Sequence, residues 1–265
     1  MYSKNDICIN PPMGWNSYDY YDTTVTEDDL KRNADYMADN LLQYGYEYIV
    51  ADIQWSDCNA GTDREHYQYI PFSHFEIDEY GRQLPAVNRF PSAKDNSGFK
   101  HIADYIHKKG LKFGIHIMRG IPRIAAHNHL PIEGTDTTAD KIANPYSISR
   151  WNPDMYGVRS DIYGGQEYYD SIFRLYADWG VDLVKVDDIC NTNMYPYDPY
   201  SGKAEIEMIY NAIKNCGRQM VLSLSPGPAL IEHASHMRKY ANMWRITDDF
   251  WDNWDLLKAM FERCD

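Results

Sequence analysis

One unit recurs along the chain. An amphipathic helix ends at or near a glycine, a short apolar run follows, and an ionisable or hydroxylic residue closes the run. Residues 27–44 place Leu30, Ala34, Met37, Ala38 and Leu41 at helical spacing. Thr26 followed by Glu27 and Asp28 suits the N-terminus of that helix. Gly45 stops it, and 46–51 reads as a strand closed by Asp52. The unit returns as a helix at 99–109, Gly110 and a strand at 111–115 ending at His116. A helix at 166–179, Gly180 and the run 181–186 end at Asp187. A helix at 204–215, Gly217 and a strand at 220–224 end near Ser225. A helix at 229–240 and a strand at 243–246 end at Asp248 and Asp249. A glycine at a helix C-terminus supplies the positive φ that such a stop requires.

Strands alternating with helices predict an α/β fold with a parallel sheet. A (β/α) barrel brings every strand's C-terminal end to one rim, so Asp52, His116, Asp187, Ser225 and Asp249 would converge. A doubly wound open sheet is the competing architecture. Counting 13–17 as the first strand gives six, whereas a closed barrel has eight. Two long polar inserts, 56–97 and 118–165, read as rim loops with local structure.

The formal charge of the 265-residue chain is −13, which argues against nucleic acid or an anionic membrane surface as partner. Five scattered cysteines without Cys-x-x-Cys spacing suit reduced thiols and give no zinc site. Arg119, Arg123, His127 and His129 crowd one insert without carboxylates at matching spacing, so no metal is expected. The first ten residues carry no apolar signal region, and no apolar run has membrane-spanning length. The expectation is a soluble, cytoplasmic protein that needs no cofactor. The oligomeric state is left open. High aromatic content, with 23 Tyr and 7 Trp, fits a sugar site or a large core equally.

Two stretches carry chemistry. In Trp-Gly-Val-Asp-Leu-Val-Lys-Val-Asp-Asp-Ile-Cys (179–190), Lys185 and Asp187 share a strand face, because the side-chain period is two. A neighbouring ammonium keeps a carboxylate ionised, as a nucleophile requires. A structural Lys–Asp pair is the bland alternative. Asp188 follows, either in a rim turn or as support for Asp187. In 242–254, Arg245 precedes Asp249 by four residues between tryptophans. Such a setting would bury an acid and raise its pKa, as a general acid requires. Two aspartates on one rim are what glycoside hydrolysis uses. Trp55 and Asp57, after Asp52, fit either the site or the surface.

Four segments in register resemble glycoside hydrolase family 27, the α-galactosidases and α-N-acetylgalactosaminidases. They are Pro-Pro-Met-Gly-Trp-Asn-Ser-Tyr (11–18), Gly-Leu-Lys-Phe-Gly-Ile (110–115), Asp-Trp-Gly-Val-Asp-Leu-Val-Lys-Val-Asp (178–187) and Trp-Arg-Ile-Thr-Asp-Asp (244–249). The resemblance implies a (β/α)8 TIM barrel followed by a small β-domain. Residues 1–265 would then be the catalytic barrel domain, truncated after about six strands, with the last two strands and the β-domain absent. On that reading Asp265 is not a natural end, and an unpaired parallel edge would leave the chain poorly stable. The resemblance also implies retention, with Asp187 as nucleophile and Asp249 as acid/base about 5–6 Å apart. Lys185 falls on the sugar-contacting lysine beside the nucleophile. Arg245 falls on the arginine at the 2-substituent, and Asp52 on the aspartate that binds the 4- and 6-hydroxyls. Tyr18 stands where a tryptophan usually lies under the sugar, and His116 where a tyrosine is common.

Two departures bear on substrate. The second aspartate of the family's Asp-Asp-Cys-Trp is Ile53 here, and its cysteine is Gln54, so a family disulfide is not expected there. Ser225 stands where α-galactosidases have a glutamate and α-N-acetylgalactosaminidases a serine, although its Pro-Gly-Pro flank matches neither. The expectation is an α-galactosidase weaker than the full motif would give. β-L-Arabinopyranosides or α-N-acetylgalactosaminides would be competing substrates. A barrel that binds sugars without hydrolysing them is the alternative of another class, and keeping Asp187, Asp249 and Lys185 argues against it. A nucleotide-binding protein lacks its phosphate loop after any strand.

Overall fold

The structure is a computed structural model that describes residues 4, 6–61, 75–149, 152–190, 200, 202–226, 228–247, 249 and 251–264. Asp248 and Gly227, singled out in the sequence, lie outside the described residues, as do parts of both inserts. In chain order the regular elements begin β1 (Gly14–Asn16), α1 (Tyr18–Tyr21), α2 (Glu27–Asn40), β2 (Tyr48–Ala51), α3 (Lys100–Lys108) and β3 (Lys112–Met118). The second insert contributes β4 (Ile121–Pro122), α4 (Arg123–His127), α5 (Ala139–Ile142), β5 (Ala143–Ile148) and β6 (Met155–Val158). There follow α6 (Gly165–Trp179), β7 (Leu183–Asp187), α7 (Lys203–Asn215), β8 (Val221–Leu224), α8 (Ala234–Tyr240), β9 (Met243–Trp244) and α9 (Trp254–Glu262).

Six parallel strands form one sheet in the order β1-β2-β3-β7-β8-β9. The order advances in one direction without a reversal. A doubly wound sheet reverses at its switch point, so that alternative falls. The sheet is that of a (β/α)8 barrel carried through six strands. The second insert adds a small antiparallel sheet, β4-β6-β5, which gives form to the local structure expected of that rim loop.

Local chemistry accounts for the ends of the elements. Thr26 caps α2 by accepting the Asp29 N–H at 3.3 Å, and the Asp29 carboxylate accepts the Thr26 N–H at 3.0 Å. Gly180 closes α6 at φ 85°, so the chain reverses directly into β7. Gly14 lets β1 lie tight against β2, since a Cβ there would stand 2.2 Å from the Tyr48 carbonyl oxygen. His116 is not at a strand end. Strand β3 runs two residues past it, to Met118, because its pairing with β7 continues to Met118–Asp187.

The core between sheet and helices is rich in aromatic rings. Phe99 meets Trp55, Phe113 and Trp179 edge-on, at centroid distances of 5.2, 5.2 and 5.7 Å. Trp55 is therefore a core residue, 2% exposed, and its indole N–H donates to the His116 carbonyl at 2.6 Å. Asp57 is buried as well. Much of the aromatic content is thus spent on packing. Arg89, also buried, donates to the carbonyls of Thr23, Val25, Gln54 and Asp57 and binds two rim loops to each other. Among the described residues no helix is long and apolar enough to cross a membrane.

Candidate active site

The C-terminal ends of the strands open onto one cleft of roughly 680 Å³. Tyr18, Asp52, Lys185, Asp187, Arg245 and Asp249 all line it. His116 and Ser225 stand one layer behind, 2% and 1% exposed. Ile53, the departure singled out in the sequence as bearing on substrate, lines the cleft too, as do Asn16 and Trp251, to which the sequence reading gave no contact role.

Asp187 ends β7 and is 8% exposed. His116 Nε2 lies 3.2 Å from its Oδ2, and the Asp188 N–H donates to its Oδ1 at 2.9 Å. Burial alone would raise the pKa of this carboxyl. The His116 hydrogen bond, the charges of Lys185 and His116, and the Asp188 N–H outweigh burial, so the group lies below its ordinary value. It is an ionised carboxylate facing a cleft.

Lys185 is the neighbouring ammonium expected beside Asp187, and its field lowers that carboxyl, while its hydrogen bond goes to Asp52 Oδ2 at 3.0 Å. Register explains the rest. His116 is paired with Lys185 across β3 and β7, so the imidazole projects beside the same face and reaches Asp187. Burial lowers the Lys185 pKa, but Asp52 and then Asp187 more than restore it, and the net shift is upward.

Asp52 is 2% exposed and heavily bonded. Its Oδ2 also accepts from Asn16 Nδ2 at 2.6 Å, and its Oδ1 accepts the Ile53 N–H at 2.8 Å. Burial raises its pKa, yet Lys185, His116 and these two donors hold it well below the carboxylate range. Asn16 could have been found in the sequence, since it lies in the 11–18 segment directly before Ser17 and Tyr18. Ser17 Oγ in turn accepts the Asp52 N–H at 2.9 Å.

Ile53 packs with Met118 and Met155 in an apolar cluster that Tyr18 and Phe75 adjoin. It gives the cleft an apolar wall directly beside Asp52. Tyr18 in turn approaches Trp251, with ring centroids 5.9 Å apart.

Asp249 differs from the sequence expectation of a buried acid. Its side chain is 63% exposed, and Oδ1 meets the Arg245 guanidinium at 2.6 Å. The reason is position. Among the described residues the two-residue β9 is paired with β8 alone, and Asp249 follows it at the edge of the sheet. Arg245 also donates to Ser225 Oγ at 3.3 Å, tying the ends of β8 and β9 together.

A family model described as alpha galactosidase A matches residues 153–264. A GH27 β-L-arabinopyranosidase from Geobacillus stearothermophilus, solved with arabinose, is 56% identical at a TM-score of 0.92, covering 98% of this chain and 59% of that one. An α-galactosidase of Coffea arabica is 28% identical over 96% of this chain and 51% of its own length. α-Galactosidase I from Mortierella vinacea shares the fold at 21% identity, with a TM-score of 0.62, 95% of this chain covered and 49% of that one. The chain spans about half the length of the curated relatives it matches. Matched along nearly all of its own length, it belongs to glycoside hydrolase family 27.

Proposed function

We propose that this barrel carries the active site of a retaining glycosidase for terminal galacto-configured pyranosides, α-D-galactosides among them. The supporting observation is the buried Asp187 carboxylate, held ionised and aimed by His116 and the Asp188 N–H at a cleft that Asp249 also lines. In this reading Asp187 attacks the anomeric carbon and forms a glycosyl-enzyme. Asp249 protonates the leaving oxygen and then takes a proton from the water that releases the sugar. Asp52, already oriented by Asn16 and Lys185, accepts from the 4-hydroxyl. Tyr18 stacks on the ring, and Arg245, braced from behind by Ser225, faces the 2-substituent.

Ile53 favours a second substrate of the same configuration, the β-L-arabinopyranosides. These lack the hydroxymethyl group of galactose, so an apolar wall beside Asp52 costs them no hydrogen bond. The 56% identity to a β-L-arabinopyranosidase supports the same reading. A lost neutral hydrogen bond costs about 0.5–1.5 kcal/mol, or roughly threefold to tenfold in rate, which handicaps galactosides without excluding them. The test is a panel of nitrophenyl α-galactoside, β-L-arabinopyranoside and α-N-acetylgalactosaminide. Ile53→Asp should raise the galactoside-to-arabinopyranoside ratio of kcat/KM by roughly threefold to tenfold. An unchanged or falling ratio would show that Ile53 does not face the 6-position.

A further inference from the structure

Beneath Asp187 lies a buried ionic cluster that the proposed chemistry does not use. Arg119, just past β3, is 3% exposed, and Asp188 and Glu205 are 2% and 4% exposed. Its guanidinium meets Asp188 Oδ2 at 3.0 Å and Glu205 Oε1 at 3.0 Å, and donates to Ser147 Oγ at 2.9 Å. The Tyr169 hydroxyl donates to Glu205 Oε2 at 2.5 Å and accepts the Gly120 N–H at 2.9 Å. The cluster therefore anchors Arg119 to α6 and α7, on the outside of the sheet.

The consequence lies in two peptide planes. The Arg119 backbone N–H donates to the Asp187 carbonyl at 3.1 Å. That carbonyl belongs to the same peptide plane as the Asp188 N–H, which donates to Asp187 Oδ1. The Arg119 Nε–H donates to the Asp188 carbonyl at 2.5 Å, which fixes the next plane. That plane's other end, the Ile189 N–H, donates to the Ser225 carbonyl at 3.1 Å. Asp188 itself sits at φ 57°, a left-handed conformation that L side chains seldom adopt, so the turn needs holding.

We propose that Arg119 is a positioning residue for Asp187. It grips both peptide planes of the turn and so aims the Asp188 N–H at the carboxylate oxygen. The inference rests on the reading of Asp187 as nucleophile. If the grip loosens, the carboxylate keeps only its His116 contact and wanders from the line of attack. A misplacement of about 1 Å costs on the order of 10²-fold in rate.

The test is covalent trapping of the full chain with 2-deoxy-2-fluoro-galactosyl fluoride and its arabinopyranosyl counterpart, followed by mass spectrometry of the labelled peptide. The wild type should label at Asp187. Arg119→Lys keeps the charge and the backbone N–H but loses the fork, and should label there about 30–100-fold more slowly. Its affinity for free galactose or L-arabinose should stay within about threefold, since ground-state contacts are untouched. Asp188→Gly takes the left-handed turn freely and keeps both gripped carbonyls, so it should lose only about threefold to tenfold. This second variant also carries the test if Arg119→Lys does not fold: a loss beyond about 30-fold there would overturn the peptide-plane account. Equal labelling rates in wild type and folded Arg119→Lys would overturn the proposal while leaving the nucleophile in place. Labelling of the wild type at another carboxylate, or no labelling, would overturn the nucleophile reading and the proposal with it.

Discussion

The two aspartates on the rim are held in opposite ways. Asp187 is 8% exposed, takes hydrogen bonds on both oxygens, and stands on a turn gripped from below by Arg119. Asp249 follows a two-residue edge strand, is 63% exposed on its side chain, and has Arg245 as its ionic partner. The contrast matches the two duties proposed for them. A nucleophile must stay ionised and point at one atom, so burial, which disfavours its charge, has to be offset by fixed donors. An acid/base must exchange protons with leaving group and water, which solvent contact permits.

Substitutions at each site sharpen this contrast. Asp187→Asn should lower kcat/KM on every nitrophenyl glycoside by at least about 10³-fold, because no other group forms the covalent intermediate. Full activity in that variant would remove the difference between the two carboxylates altogether. Asp249→Ala should be more selective. Loss of a general acid costs about 10²–10⁴-fold for an alkyl or sugar leaving group and far less for nitrophenolate, which leaves unaided. Comparing initial rates on melibiose and on a nitrophenyl glycoside tests this. Equal losses on both would show that Asp249 is not the proton donor.

A smaller effect concerns stability. Burial raises the Asp188 carboxyl from 3.8 to about 6, with Arg119 opposing and the Asp187 charge adding to the shift. A carboxyl raised on folding binds its proton more tightly in the folded chain. The wild type should therefore gain stability from this group as pH falls from about 7 to about 4. Asp52 and Asp187 work the other way. Both are held below their ordinary value, so their stabilisation is present above about 4 and is lost as pH falls through their folded values. Asp188→Asn removes only the first term. Its stability relative to wild type should be about 1–3 kcal/mol greater at pH 8 than at pH 4, read from urea melts at the two pH values. A difference independent of pH would mean that folding does not shift the Asp188 carboxyl.

Much of the barrel was legible because its signals are local. Helical spacing, a glycine stop such as Gly180 and a short apolar run lie within about twenty residues of one another. The convergence of Asp52, Asp187 and Asp249 then followed from the parallel sheet alone. What failed to show was set by pairing across the sheet. The contact of His116 with Asp187, and the preference of Lys185 for Asp52, depend on which residue of β3 faces which residue of β7. Sequence spacing within one strand says nothing of that register. The second insert read only as a loop with local structure, and its strands β4–β6 stayed unassigned for a related reason, since they are short and pair antiparallel across the insert. Arg119 was read as one of several basic residues in a loop, because its partners Asp188 and Glu205 lie about seventy and ninety positions away. Asp249 was expected to be buried because tryptophans flank it, but neighbours in sequence at a sheet edge need not cover one another.

Arg89 has a consequence for how the cleft breathes. Its guanidinium spans the loop after α1, through Thr23 and Val25, and the loop after β2, through Gln54 and Asp57. Sliding one loop past the other would strand buried N–H donors at about 1–3 kcal/mol for each unpaired group, more where the donor is charged. The Tyr18 side and the Asp52 side of the site therefore travel as a single body, and the compliance of the cleft is concentrated at its opposite lip. There Asp249 pairs with Arg245, and Trp251 approaches Tyr18. A sugar arriving at such a cleft meets a stiff wall that selects its shape and a pliant one that lets it through.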